Sequence, residues 1–147
     1  MKKVIHLIQF IFIKIMFCIF QIIGYKFSSN LGFLIGKFIG PIFKSKKSII
    51  DNLQTAKIKH KLNYNKIATN VLGNYGRIFA EYTHLKHFRN DKLKKFISFD
   101  GYQHLEDIKK SKKTVVFISG HFNNFELMAM QIEKSGIDVA AIYRPLN

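Results

Sequence analysis

The 147-residue chain is poor in cysteine and in acidic residues. Its single cysteine, Cys18, excludes a disulfide framework and any zinc site built from several cysteines. Nine acidic residues stand against 24 lysines and arginines, so the formal net charge is +15. Hydrophobic residues make up 48% of the chain, which is too apolar for a disordered basic tail.

Acidic residues are almost absent from the first half of the chain. Residues 1–80 carry twelve lysines, one arginine and one acid, Asp51, for a balance of +12, whereas residues 81–147 carry +3. A basic half that is also apolar favours a membrane with anionic lipids as its partner. Nucleic acid is the other common anionic partner, but no zinc-finger, basic-zipper or RNP-type motif is present. We therefore expect a membrane partner and no nucleic acid.

The most hydrophobic segment covers residues 4–23, where sixteen of twenty side chains are apolar. This is the length of a membrane-spanning helix. Lys14 near its centre costs roughly 2.5–3.5 kcal/mol on insertion, so a helix lying in the membrane interface remains an alternative. A cleaved signal peptide is disfavoured, because the apolar stretch is too long and no small-residue cleavage site follows it. We predict a membrane anchor over residues 1–27.

Three further helices are predicted before residue 90. An apolar stretch at residues 31–43 is too short to span and indicates a re-entrant or surface-lying helix that ends at Pro41. Residues 44–60 read as a basic helix, and a longer helix is expected from Tyr64 to Phe88. The apolar stripe of that longer helix is Ile67, Val71, Tyr75, Ile78, Tyr82 and Leu85.

Arg77 and Glu81 lie four residues apart on the long helix and therefore share one face. The simplest interpretation is an exposed ion pair, which contributes little to stability. A role in a functional site is the alternative interpretation of the same spacing.

The last third of the sequence predicts an α/β fold. The compact apolar run at residues 114–119 is typical of a buried strand, and a helix from Phe125 to Lys134 follows it, stopped by Gly136. Residues 137–143 form a second predicted strand. Strand, helix and strand in this order make a βαβ unit with a parallel sheet. We expect residues 28–147 to form the N-terminal part of such a domain.

Polar residues with catalytic chemistry follow both predicted strands. His121 comes after the first strand and Arg144 after the second, so adjacent parallel strands would bring them to one sheet edge. Glu126, five residues after His121, can turn back from the first helical turn and fix the tautomer of the imidazole. This arrangement suits a histidine general base acting on a hydroxyl. A histidine near a strand end that only makes structural hydrogen bonds is the simpler alternative.

Two blocks carry a resemblance to a known family. The block Gly120-His-Phe-Asn-Asn-Phe-Glu126 and the Tyr143-Arg-Pro145 block resemble the lipid A biosynthesis acyltransferases, the late lauroyl and myristoyl transferases of lipopolysaccharide synthesis. Two residues depart from the family pattern, since Asn123 replaces the usual Gly and Phe125 the usual Trp. Both departures flank His121 and Glu126 and leave that pair intact.

The resemblance implies O-acyl transfer at the cytoplasmic side of the bacterial inner membrane. The donor would be an acyl thioester on acyl carrier protein or coenzyme A, and the acceptor a hydroxyl of a phosphorylated glycolipid, a lipid A precursor. His121 would be the base, Glu126 would orient it, and Arg144 would bind phosphate or stabilise the oxyanion. We expect no metal and no cofactor.

The sequence ends four residues after the second predicted strand, and two strands are too few to bury both faces of a parallel sheet. We therefore expect the N-terminal half of such an enzyme, from a truncated or split gene, with activity alone in question. A glycerolipid acyltransferase of the lysophosphatidic acid type shares the spacing between histidine and acid and is the main enzyme alternative. A catalytically dead remnant at the membrane surface is the non-enzyme alternative.

Overall fold

Helices account for all regular secondary structure in the part of the chain that the structure describes. The computed structural model describes residues 2–56, 63–120 and 122–142. By Cα proximity the chain divides into two compact units, Met1–Leu85 and Lys86–Asn147. The α-helices are α1 (Lys2–Ile23), α2 (Tyr25–Phe43), α3 (Lys46–Thr55), α4 (Tyr64–Glu81), α5 (Leu85–Arg89), α6 (Tyr102–Ser111) and α7 (Glu126–Lys134).

The first helix, α1, is apolar along almost its whole length and is hardly buried. Phe20 is its only buried residue, whereas Phe12 is 62% exposed. Among the described residues, α1 is the one helix that is long and apolar enough to cross a membrane. Leaving such a surface in water is unfavourable, since burial of one large apolar side chain is worth roughly 1.5–3 kcal/mol. The exposed face of α1 therefore fits the predicted membrane segment.

The centre of the first unit is a close contact between the backbones of α2 and α4. A Cβ added at Gly36 would lie 2.4 Å from the carbonyl oxygen of Leu72, and one at Gly76 would lie 2.1 Å from that of Gly32. No side chain fits at such distances, so glycine at Gly36 and Gly76 is what allows the two helices to touch. Small residues at helix contacts act in the same way in membrane proteins.

The buried face of α4 differs from the predicted apolar stripe. Tyr75, a member of that stripe, is 54% exposed. The buried residues are instead Ala68, Leu72, Gly73, Ala80 and Glu81. Most of these are small, because the backbone of α2 lies against this face. Side-chain size, rather than hydrophobicity, decides which side of α4 turns inward.

The helix ends follow capping rules in part. The Asn63 side chain accepts a hydrogen bond from the backbone N–H of Lys66 at 3.0 Å and so begins α4. The prediction that the second helix ends at Pro41 is wrong, because α2 contains Pro41 and continues to Phe43. The predicted helix from Tyr64 to Phe88 is broken by a 3₁₀ turn at Tyr82–His84 between α4 and α5.

The second unit contains α6 and α7 with long connections. Arg89 and Glu133 form an ion pair at 2.8 Å, and Lys134 pairs with Asp91. The bond from Lys134 lowers the pKa of Asp91. Gly136 adopts a φ of +82° just after α7, which confirms it as the helix stop.

The predicted α/β fold with a βαβ unit is wrong for the residues described. Residues 114–119 and 137–142 carry no strand pairing, and 114–119 are exposed throughout; Val116 is 86% exposed and Ile118 93%. A strand exists only through hydrogen bonds to a neighbour, and a parallel sheet is stable only when several strands are covered on both faces. The described residues offer these two segments no such partners, so neither segment forms a strand there.

Candidate active site

Of the three predicted site residues, the structure describes one. His121 and Arg144 lie outside the described residues, and so does Tyr143 at the end of the second predicted strand. The placement of His121 beside Arg144 therefore stays a prediction. That prediction assumed that both residues lie at one edge of a sheet, and the described residues contain no sheet. The two sequence blocks are therefore the remaining support for placing His121 and Arg144 in one site.

Glu126 is the first residue of α7 and lies in the helical turn that the interpretation requires. One of its carboxylate oxygens, Oε2, is buried. The N-terminal end of a helix carries partial positive charge, which stabilises a carboxylate there. A carboxylate in the first turn of α7, five residues after His121, suits the role of orienting an imidazole, and that role remains a prediction.

The loop before α7 takes a left-handed turn at Asn123, whose φ is +48°. Asparagine is among the few residues other than glycine that adopt this conformation readily. Asn123 stands where the resembling family usually has Gly, so the departure keeps the backbone shape that glycine would give. Phe125 holds the cap position of α7 and makes no side-chain capping bond.

A second polar cluster lies buried in the first unit, where the start of α2 meets the end of α4. Ser29 Oγ donates to Glu81 Oε1 at 2.7 Å, and Tyr25 Oη donates to the same oxygen at 3.4 Å. Glu81 is only 6% exposed. The interpretation of Arg77 and Glu81 as an exposed pair is therefore wrong for Glu81. Arg77 instead places its guanidinium 4.9 Å from the centroid of the Phe33 ring.

The cluster also contains a serine and a histidine in contact, Ser28 Oγ and His84 Nε2, at 2.8 Å. Ser28 donates its one hydroxyl proton to the carbonyl of Tyr25 at 2.9 Å, so His84 must donate to Ser28. This is the reverse of the direction needed to activate a nucleophile. Ser28 is also fully buried, so the pair holds helices together and does not meet a substrate.

The model of the bacterial lipid A biosynthesis acyltransferase family matches residues 1–147. The chain belongs to this acyltransferase family. No curated protein matches, and no solved structure matches. Family membership makes the chain an acyltransferase of lipid A biosynthesis in general terms, and together with the apolar α1 it indicates association with a membrane.

Sequence reasoning found the acyltransferase block around Glu126 but missed the buried cluster. The available signal was a run of polar residues, Tyr25, Ser28 and Ser29, inside an apolar, glycine-rich helix. Polar side chains in such a helix need partners, because an unpaired buried polar group costs about 1–3 kcal/mol. The identity of those partners, Glu81 and His84, depends on packing between residues that are more than fifty positions apart in the sequence.

We expect the positive φ of Asn123 to decide how much a substitution at this position changes the free energy of unfolding. Asn123→Gly should change the free energy of unfolding by less than about 1 kcal/mol, whereas Asn123→Val should lower it by roughly 1–2 kcal/mol because a β-branched residue resists positive φ. Denaturant unfolding of the detergent-solubilised acyltransferase measures both. Asn90→Val, at an exposed position outside the positive-φ residues, is the control. Equal losses at 123 and 90 would contradict the backbone argument.

Burial and the negative charge of Glu81 raise the pKa of Tyr25 to about 12. The unfolded chain loses this tyrosine proton near pH 10, so the stabilisation is complete below pH 10 and is lost as the pH rises to 12. A phenolate absorbance titration should show a late component near pH 12 that is absent in Tyr25→Phe. Glu81→Gln should move that component to lower pH, and Glu133→Gln should leave it unchanged. A titration without the late component would contradict the assigned hydrogen bond.

Proposed function

We propose that the chain catalyses O-acyl transfer from an acyl carrier protein thioester to a hydroxyl of a phosphorylated lipid A precursor. The observation that carries the proposal is the family match over residues 1–147. The position of Glu126 in the first turn of α7, five residues after His121, supports it.

The proposed reaction uses His121 as general base. Its imidazole takes the proton of the acceptor hydroxyl while that oxygen attacks the thioester carbonyl carbon. Collapse of the tetrahedral intermediate breaks the carbon–sulfur bond, and the leaving thiolate takes the proton back from the imidazolium. Glu126 orients the ring and stabilises its charged form. Arg144, with a fork of N–H donors, binds an acceptor phosphate or the oxyanion.

The proposed location is the cytoplasmic side of the bacterial inner membrane. The apolar α1 supplies the membrane contact, and the lysines that follow it suit anionic lipid head groups, an acidic carrier protein and a phosphorylated acceptor alike. The chain should sediment with membranes at physiological salt, whereas a variant starting at residue 28 should be released more easily. Recovery of the intact chain in the soluble fraction without detergent would overturn the anchor.

The activity is tested with membranes that contain the chain, supplied with an acylated carrier protein or with acyl coenzyme A. Mass spectrometry of the glycolipid should show one added acyl group, formed faster from the carrier protein. Transfer to lysophosphatidic acid but not to the glycolipid would instead assign a glycerolipid acyltransferase. No transfer to either acceptor would indicate that the chain is catalytically inactive although it has the family sequence.

A further inference from the structure

A wide apolar groove lies in the first unit. It encloses about 690 Å³ between α1, α2 and α4. Phe12, Ile13 and Met16 of α1 form one wall, and the backbones of Gly36, Gly40 and Gly76 lie along the groove. Its volume is within the range of about 300–1,000 Å³ that is typical of ligand sites.

Several large apolar side chains that line the groove are exposed at the surface. Phe43 is 85% exposed, Tyr75 54% and Ile39 45%, and all three line it. Exposed aromatic and aliphatic groups beside an apolar helix of membrane-spanning length are suited to lipid rather than to water. A hydrocarbon chain supplies the apolar contact that such a lining needs.

Positive charge marks one end of the groove. Lys44 lines it, with Nζ 5.2 Å from the centroid of the Tyr75 ring. Lys46 and Lys47 follow at the start of α3. Asp51 is the only acid among the first eighty residues, so little in this region neutralises these lysines. A ligand with a hydrocarbon chain and an anionic head group matches both the groove and its end.

We propose that the groove binds one acyl chain of an anionic bilayer phospholipid, with the head group beside Lys44. Its occupant is a resident lipid rather than a reactant of the chemistry proposed at His121 and Glu126. Both properties on which the proposal rests, the apolar lining and the lysine at its end, belong to residues that the structure describes.

The test is native mass spectrometry of the intact chain in detergent, titrated with phosphatidylglycerol or phosphatidylcholine. One phosphatidylglycerol should be retained per chain and outcompete phosphatidylcholine. Ile39→Trp, which fills the groove, should abolish the retained lipid, while Ile42→Trp, a neighbouring exposed isoleucine outside the groove, should not. Lys44→Gln should weaken phosphatidylglycerol binding by about fivefold, the factor for roughly 1 kcal/mol per lysine, and Lys37→Gln should have a smaller effect.

Several results would overturn the proposal. These are equal retention of the two phospholipids, unchanged binding in Ile39→Trp, and a dimer in place of a lipid adduct. Preference for the phosphorylated glycolipid over phosphatidylglycerol would assign the groove to the acceptor instead. Circular dichroism checks the fold of each variant, and Lys44→Gln keeps the test valid if Ile39→Trp misfolds, since Lys44 is exposed.

Discussion

Replacing His121 by Ala should abolish acyl transfer, because the proposed mechanism has no other base to take the hydroxyl proton. Glu126→Ala should lower kcat by about 10²–10⁴, the range of general-base assistance, with a smaller effect on KM. Glu126→Gln should retain the shape of the side chain without the charge that stabilises the imidazolium. Initial rates of transfer from an acylated carrier protein to the lipid A precursor measure all three.

The controls are His104→Ala and Glu106→Ala, two exposed positions on α6. Both should leave the rate within about twofold, as expected for substitutions of exposed side chains that have no part in the proposed chemistry. Because Glu126 acts through His121, the double variant should be no slower than His121→Ala alone. Full activity in His121→Ala would end the proposed mechanism. Additive losses in the double variant would instead give Glu126 a role of its own.

Gly36→Ala should lower the free energy of unfolding of the first unit by about 3 kcal/mol, the upper end of the usual cost of overpacking. The added Cβ would meet the carbonyl oxygen of Leu72 at 2.4 Å and the Gly76 Cα at 2.9 Å, and backbone atoms cannot move aside as a side chain can. The two helices must therefore separate, which also breaks the contacts of the buried cluster around Glu81. Unfolding followed by circular dichroism in detergent gives the free-energy change.

Gly40→Ala on the same helix is the matched control. Its Cβ would lie 3.0 Å from the Cβ of Leu72, so α2 and α4 need to move apart by only a few tenths of an ångström, much less than at Gly36. Alanine also favours the helix by about 1 kcal/mol over glycine, so the net change should be within about 1 kcal/mol. Similar stabilities of the two variants would show that α2 and α4 are not held by backbone contact.

Local sequence signals predicted the helices well. The apolar run that became α1 and the stop at Gly136 depend on neighbouring residues, so a single sequence is enough to indicate them. Strands are different, because residues 114–119 have β-prone side chains yet pair with nothing in the described residues. A β-prone segment becomes a strand only through a partner that local sequence does not specify.

The buried cluster shows a second reason why prediction from sequence was incomplete. Arg77 and Glu81 were paired because they are four residues apart, but the partner that buries Glu81 is Ser29, on another helix. Helical spacing identifies which residues share a face, not which helix covers that face. The glycines of α2 and α4 allow α2 to cover this face of α4. Their role is visible only in the short distance between the two backbones.

The unpaired segment at residues 114–119 has a consequence for handling the protein. A run of six exposed, β-prone residues without charge or proline is the kind of sequence that stacks into cross-β aggregates. Lys112 and Lys113 directly precede it and act as gatekeepers, since stacking in register would bring their charges together. High ionic strength screens that repulsion. Concentrated salt therefore removes the protection against self-association through this segment.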